Sequence, residues 1–247
     1  FGPNEQTALV RNNLEDNFKN VTDWLLKGNI DFDYISESLL PDLCEKGSAP
    51  LKVGEMEYDA IIVPDCETLR SSTLERLEAF RNDGGKLVFM GNAPKYENAV
   101  LSERGKNLYN ISVNIPFTKG ALMACLDENR TLEIRNANGA YTTDLIHQVR
   151  SDETGLWLFV SHCSEPYSKD VASSQKIRIC VRGNYKPQLW DTITGEIKPV
   201  PYINEKNTTC IFAELFDYDS MLLFLEDTDE SGSYSEDTAS FNTTPLS

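Results

Sequence analysis

The chain has 247 residues, 40% hydrophobic and 10% aromatic, enough for one large core or two small ones. Its formal net charge of −16 repels phosphate backbones, which excludes nucleic acid as a general partner. No run of eighteen apolar residues occurs, so no membrane-spanning helix and no membrane partner are expected.

The opening FGPNEQTALV has neither the basic stretch nor the apolar core of a signal peptide. From residue 5 to 27, Val10, Leu14, Phe18, Val21 and Leu25 recur at helical spacing, and Trp24 and Leu26 widen the apolar face. Gly28-Asn29 ends that helix. Residues 30 to 35 alternate polar and apolar and read as a strand, residues 36 to 40 open a short helix, and residues 51 to 53 form a short strand.

Tyr58 to Pro94 is the clearest stretch. Ala60-Ile61-Ile62-Val63 is a continuous apolar run, as in a parallel strand covered on both faces, and Pro64 ends it. Ser72-Thr73-Leu74-Glu75 fits a capping box, Leu74, Leu77 and Phe80 share one helix face, and Gly84-Gly85 stops the helix. Lys86 to Met90 is the next buried strand. Strand, helix and strand at this length make a right-handed βαβ crossover. Further on, the spacing predicts a helix over 97–107, a strand over 109–115, a helix over 116–126 and a short strand or linker at 132–134.

After Gly139 the helical periods stop. Strands are expected near 142–151, 155–163, 175–182, 186–191, 196–203, 208–215 and 220–226, with hairpin turns at Gly183-Asn184 and Thr194-Gly195. This divides the chain into an α/β domain over 1–135, a β-sandwich over 136–226 and an acidic Ser/Thr-rich tail or linker over 227–247. Glu226, Asp227, Asp229, Glu230, Glu236 and Asp237 gather at and just before the tail, and no Lys or Arg follows Lys206. A solvated segment accounts for it.

Candidate chemistry is sparse. The six cysteines (44, 66, 125, 163, 180 and 210) form no C-x-x-C pair, so metal and redox sites are not expected; most read as buried free thiols, which favours a cytoplasmic setting. His147 and His162 both fall in expected strands, where a structural role is the plainer one. Cys66 lies just past a parallel strand, where open α/β sheets bind ligands, but the α/β half has no histidine to activate it. Asp65, Glu67 and Asn92 gather at the same strand ends. They are the candidate substrate-binding residues, and helix capping is the plainer reading of them. Glycosidic hydrolysis needs two carboxylates at a set separation, and Asp65 and Glu67 are too close in sequence for that. Five N-x-S/T sequons carry no weight, and no phosphate-binding glycine motif occurs, so no cofactor is expected. Trp157, Trp190, Tyr185 and Tyr202 could form a sugar-stacking platform; packing in a core or between domains is the plainer reading.

The string EYDAIIVPDCETLRSSTLERLEAFRNDGGKLVFMGNAP resembles the flavodoxin-like, class I glutamine-amidotransferase-like module of large glycoside hydrolases. It is similar to the trimerisation domain of some β-galactosidases and, more closely, to the matching module of α-L-rhamnosidase-type enzymes. The strings LIHQVRSDETGLWLFVSHCSEP and PQLWDTITGEIKPVPY resemble the β-sandwich that follows in those enzymes, where a W-D-x-x-T-G phrase is frequent. Together the resemblance spans residues 5 to 226.

The resemblance implies a parallel flavodoxin-like sheet followed by a small all-β sandwich. True amidotransferases carry a cysteine nucleophile in a sharp turn after the strand matching Leu87–Met90. Here Gly91-Asn92-Ala93-Pro94 stands in its place, so no catalytic residue is expected. In the glycosidases the two catalytic carboxylates lie on a preceding barrel, for which this chain has no room. The resemblance therefore implies a non-catalytic fragment of a longer glycoside hydrolase, with the catalytic barrel of the same chain as partner and homo-oligomer contacts or carbohydrate as further partners. A carbohydrate-binding module and an independent amidotransferase-like hydrolase using Cys66 are the alternatives.

Overall fold

A computed structural model of the chain describes residues 5–166, 170–229 and 232–235. The chain divides into two compact units: Phe1–Trp24 with Phe32–Asn129, and Leu25–Asp31 with Arg130–Ser247. The main part of the second unit runs from Arg130, because the strand at 132–136 pairs into one of its sheets, whereas the expected division lies at 135/136. It also takes in the segment after the long helix.

In the first unit, α1 (Glu5–Lys27) and the short α2 (Leu40–Leu43) precede a hairpin of β1 (Leu51–Val53) and β2 (Met56–Tyr58). Then come β3 (Ala60–Val63), β4 (Thr68–Leu69), α3 (Ser71–Asn82), β5 (Lys86–Met90), β6 (Tyr96–Glu97), β7 (Val100–Leu101), α4 (Arg104–Ile111), β8 (Val113–Ile115) and α5 (Lys119–Cys125). β3, β5 and β8 form a parallel sheet in that order, with Ile61 opposite Leu87 and Phe89 opposite Asn114. Leu87, Val88, Phe89 and Met90 are all buried, which is why that strand reads as an unbroken apolar run. Leu74, Leu77 and Phe80 of α3 pack into the same core as Leu87 and Phe89. Gly84 takes φ +90°, and the Gly85 amide closes the helix on the Phe80 carbonyl.

Several local expectations change. The capping box at Ser72 and Glu75 does not form: α3 starts at Ser71, and its N-cap, Arg70, makes no side-chain cap bond. Acceptors come from elsewhere in the unit instead, as the Arg70 amide donates to Glu37 Oε1 at 2.8 Å and the Ser71 amide to Asn98 Oδ1 at 3.1 Å. Residues 30 to 35 join no ladder. The expected helix over 97–107 begins only at Arg104, because Asn98 and Ala99 both take positive φ and turn the β6–β7 hairpin. The strand expected over 109–115 shrinks to 113–115 as α4 extends to Ile111. α5 starts at Lys119, where the Thr118 side chain accepts from the Ala121 amide.

The second unit holds β9 (Leu132–Asn136), β10 (Leu145–Asp152), β11 (Gly155–His162), β12 (Ser174–Arg182), β13 (Tyr185–Trp190), β14 (Ile197–Pro199), β15 (Tyr202–Glu205), β16 (Thr208–Phe216), β17 (Ser220–Asp227) and β18 (Ser233–Tyr234). They form two five-stranded antiparallel sheets, ordered β10-β11-β17-β13-β14 and β18-β15-β16-β12-β9. Their facing sides share one core that includes Leu158, Val160, Leu223 and Leu225 from the first sheet and Ile134, Ile177, Ile179 and Ile211 from the second. Alternate residues on each strand therefore point in and out, as a sandwich requires.

The single strand expected over 196–203 is two strands in different sheets. Val200 is buried between them, and Pro201 has no amide to carry one ladder through the corner. The cysteines are not all free: Cys180 lies directly opposite Cys210 across β12 and β16, and the two form a disulfide. The two cysteines are 30 residues apart in sequence and are brought together by strand pairing, which short-range spacing does not show. Within 227–247, Ser233–Tyr234 pairs with β15, whereas residues 230–231 and 236–247 lie outside the described residues. No described helix is long and apolar enough to cross a membrane.

Candidate functional site

The ends of β3 and β5 bring Asp65 and Asn92 together. The Asn92 amide donates to Asp65 Oδ1 at 3.2 Å, and its side-chain nitrogen lies 3.4 Å from Asp65 Oδ1 and 3.5 Å from Asp65 Oδ2. Gly91 makes this possible. It takes φ +83°, and a Cβ there would sit 3.2 Å from the Asp65 Cβ and Cγ. Its amide donates to the Ile115 carbonyl at 3.0 Å and its carbonyl accepts from the Tyr109 hydroxyl at 3.1 Å. The turn is fixed from three sides, by Asp65, Tyr109 and Ile115.

Cys66 follows Asp65 but is poorly suited to attack. Burial, then the charges of Glu37 and Asp65, push its thiol up to about 12, so almost no thiolate exists near neutral pH. Glu67 stands apart from Asp65 and Asn92. Its carbonyl accepts from the Lys95 and Tyr96 amides, while its exposed side chain borders an open groove of about 670 Å³ beside α1, with Val10, Leu14 and Phe18. The three candidate residues are thus one pair and one outlier.

The histidines act as links within the sandwich unit. His162 Nδ1 is 3.3 Å from Asp144 Oδ2, and its Nε2 is 3.1 Å from the Phe216 carbonyl oxygen. His147 Nε2 is 3.3 Å from Asp31 Oδ1, which joins β10 to the segment after α1. Among the described residues, no group of three or more His, Cys, Asp or Glu is placed to hold a metal ion.

The aromatic candidates separate cleanly. Tyr185 and Tyr202 pack against the sandwich core. Trp157 and Trp190 belong to the opposite, outward side of the β10-β11-β17-β13-β14 sheet. Their rings lie 4.9 Å apart at 76°, and Trp157 also meets Phe224 at 4.7 Å. The register makes two adjacent outward rows: Arg150, Trp157, Phe224, Gln188 and Pro199, then Gln148, Phe159, Leu222, Trp190 and Ile197. Phe159 is 39% exposed and Ile197 53%. Trp157 is held by its indole N–H, which donates to Asp152 Oδ2 at 2.8 Å. Hydrogen bonds from Thr154 and Trp157 draw the Asp152 carboxyl down to about 2, so the acceptor stays ionised. Phe159 and Phe224 were absent from the sequence candidates. Both sit two residues from another outward apolar side chain (Trp157 and Leu222), so the period of two on those strands is the signal that finds them.

The W-D-x-x-T-G phrase forms the β13–β14 turn. Asp191 Oδ1 accepts the Ile193 and Thr194 amides at 3.0 Å each, and Gly195 takes φ +75°. Those amides hold the Asp191 carboxyl below the usual range. The phrase therefore builds a turn that sets Trp190 and Ile197 side by side.

No family model matches the sequence, and no curated protein matches it. Among solved structures, a rhamnosidase from Novosphingobium sp. PP1Y superposes with a TM-score of 0.62 at 16% identity, over 82% of this chain and 20% of that one. A catalytic mutant of a GH42 β-galactosidase from G. stearothermophilus gives 0.54 at 11% identity, over 92% of this chain and 38% of that one. Alpha-L-fucosidase isoenzyme 2 from Paenibacillus thiaminolyticus gives 0.52 at 10% identity, over 85% and 44%. The neighbours are glycoside hydrolases, and this chain spans less than half the length of each.

Proposed function

We propose that the chain is a non-catalytic, accessory region of a larger glycoside hydrolase: a flavodoxin-like, amidotransferase-like module followed by a β-sandwich. The parent would hydrolyse glycosides, with α-L-rhamnosides as the first substrate class. The observation that carries this reading is the recurrence of nearly the whole chain, α/β unit and sandwich together, as a minor part of glycoside hydrolase structures. The state of the β3–β5 strand ends supports it. Gly91 and Asn92 stand where a nucleophile would be needed, and the Cys66 thiol is held protonated.

The work of such a region is mechanical. Its partner would be the catalytic barrel of the parent chain, which it would buttress at the substrate cleft, with contacts to further copies as a second role. The groove face of α1 supports this, since Val10 and Phe18 are 40% and 48% exposed and line the same groove with Leu14. Apolar side chains clustered in this way mark a surface that another protein surface covers. The purified chain is expected to release no aryl group from aryl α-L-rhamnosides or β-galactosides. Robust turnover would contradict the proposal.

A further inference from the structure

We infer that the outward face of the β10-β11-β17-β13-β14 sheet binds an oligosaccharide of pyranose rings. Four aromatic side chains, Trp157, Phe159, Trp190 and Phe224, occupy neighbouring positions on three adjacent strands of that face. They do not belong to the core, which the same strands supply from their other side through Leu158, Val160, Leu223 and Leu225. Rings placed outside the core, with Phe159 39% exposed, have their apolar contact to make elsewhere.

The hydrogen-bonding side chains decide what that contact is. Gln188 lies directly opposite Phe224, and Gln148 directly opposite Phe159. Directly opposite residues on neighbouring strands stand about 4.5–5.5 Å apart at Cβ, so each amide borders a ring. A protein partner favours an apolar centre with its polar groups at the rim. Here Gln188 sits within the rows, between Phe224 and Pro199. A pyranose ring has the complementary pattern: one face of C–H groups to lie on an aromatic ring, and hydroxyls around its edge that need amide donors and acceptors. The rings are also fixed in advance. Trp157 is tied to Asp152 by its indole N–H and wedged against Trp190 and Phe224, so little side-chain freedom is lost when a ligand settles. The choice of a carbohydrate over other flat polar ligands rests on the glycoside hydrolase reading above.

The test is a titration of the chain with β-1,4-galactohexaose and, separately, with a rhamnogalacturonan oligosaccharide, followed by tryptophan fluorescence. Saturable quenching by at least one of them is expected, with a Kd on the order of 1 mM. Phe159→Ala removes a ring that the core does not use. It should weaken binding by about fivefold or more while circular dichroism stays unchanged. Gln188→Ala should weaken it as well. No saturation with either sugar overturns the inference, as does binding that Phe159→Ala leaves intact. Self-association that Phe159→Ala abolishes, seen by sedimentation without any sugar binding, also overturns it, since the face would then join two copies. Cleavage of either sugar would instead count against the non-catalytic reading, so the two ideas fail separately.

Discussion

At the strand ends of the α/β unit, polar groups turn toward each other. On the outward face of one sandwich sheet, rings pack beside one another and beside amides, with Phe159 exposed. Asp65 accepts from Asn92, and half-buried Cys66 has its thiol pushed up to about 12. Trp157, Phe159, Trp190 and Phe224 lie outside the core that their own strands build. The difference teaches where a fold keeps its options. The strand ends of an open parallel sheet are the usual ligand position, yet here the turn at Gly91 is closed by three hydrogen bonds. A sheet face has no such internal partners, and what it carries outward is left for something else to meet.

The contrast can be broken most forcefully through the core that supports the strand ends. Phe80 is fully buried, and its ring lies where a Cβ on Gly85 would be. Phe80→Ala should cost about 3–5 kcal/mol of stability in the α/β unit, read by denaturant unfolding. The Trp157 and Trp190 signals should keep their native form, because those rings pack in the other unit. Loss of both signals together would merge the two regions into one cooperative structure.

A smaller effect is expected at the closed turn. Gly91→Ala forces a side chain into φ +83° and against Asp65. It should cost about 1–2 kcal/mol, enough to lower the thermal midpoint without unfolding the chain. A neutral effect would mean that the Asp65–Asn92 contact is loose and open to a ligand.

The smallest effect is chemical. Iodoacetamide at about pH 8 should label exposed Cys163 well before Cys66, whose rate should rise only as pH climbs toward about 12. The sign for stability is consistent with this. The folded chain holds the Cys66 proton more tightly than the unfolded chain, so this group weakens folding as pH rises from the ordinary value of 9.0 toward about 12. Rapid labelling of Cys66 at neutral pH would restore a nucleophile to the strand ends.

Periodicity made the long helix and the βαβ unit legible, because each is set by residues close in sequence. Leu74, Leu77 and Phe80 announce a helix face, and the buried run from Leu87 to Met90 announces a central parallel strand. The sandwich strands were legible for the same reason, as alternation and turn residues are local. What stayed hidden depends on distant partners. The start of α3 is set by Glu37 and Asn98 rather than by Ser72. The Cys180–Cys210 bond follows from strand register. Asp65, Glu67 and Asn92 looked like one cluster because they follow neighbouring strands, but the loop after β3 carries Glu67 away toward α1. Tyr185 and Trp190 looked alike in composition, and only the in-and-out parity of β13 separates a core residue from an outward one.

The most direct measurement is a nitrogen–proton correlation spectrum of the labelled chain during titration with the oligosaccharide that quenches tryptophan fluorescence. The indole N–H signals of Trp157 and Trp190 should shift progressively, the side-chain amide of Asn92 should stay in place, and the sugar should remain uncleaved. Movement of Asn92 with static indole signals, or disappearance of the sugar, would contradict this account and return both ligand and chemistry to the strand ends of the α/β unit.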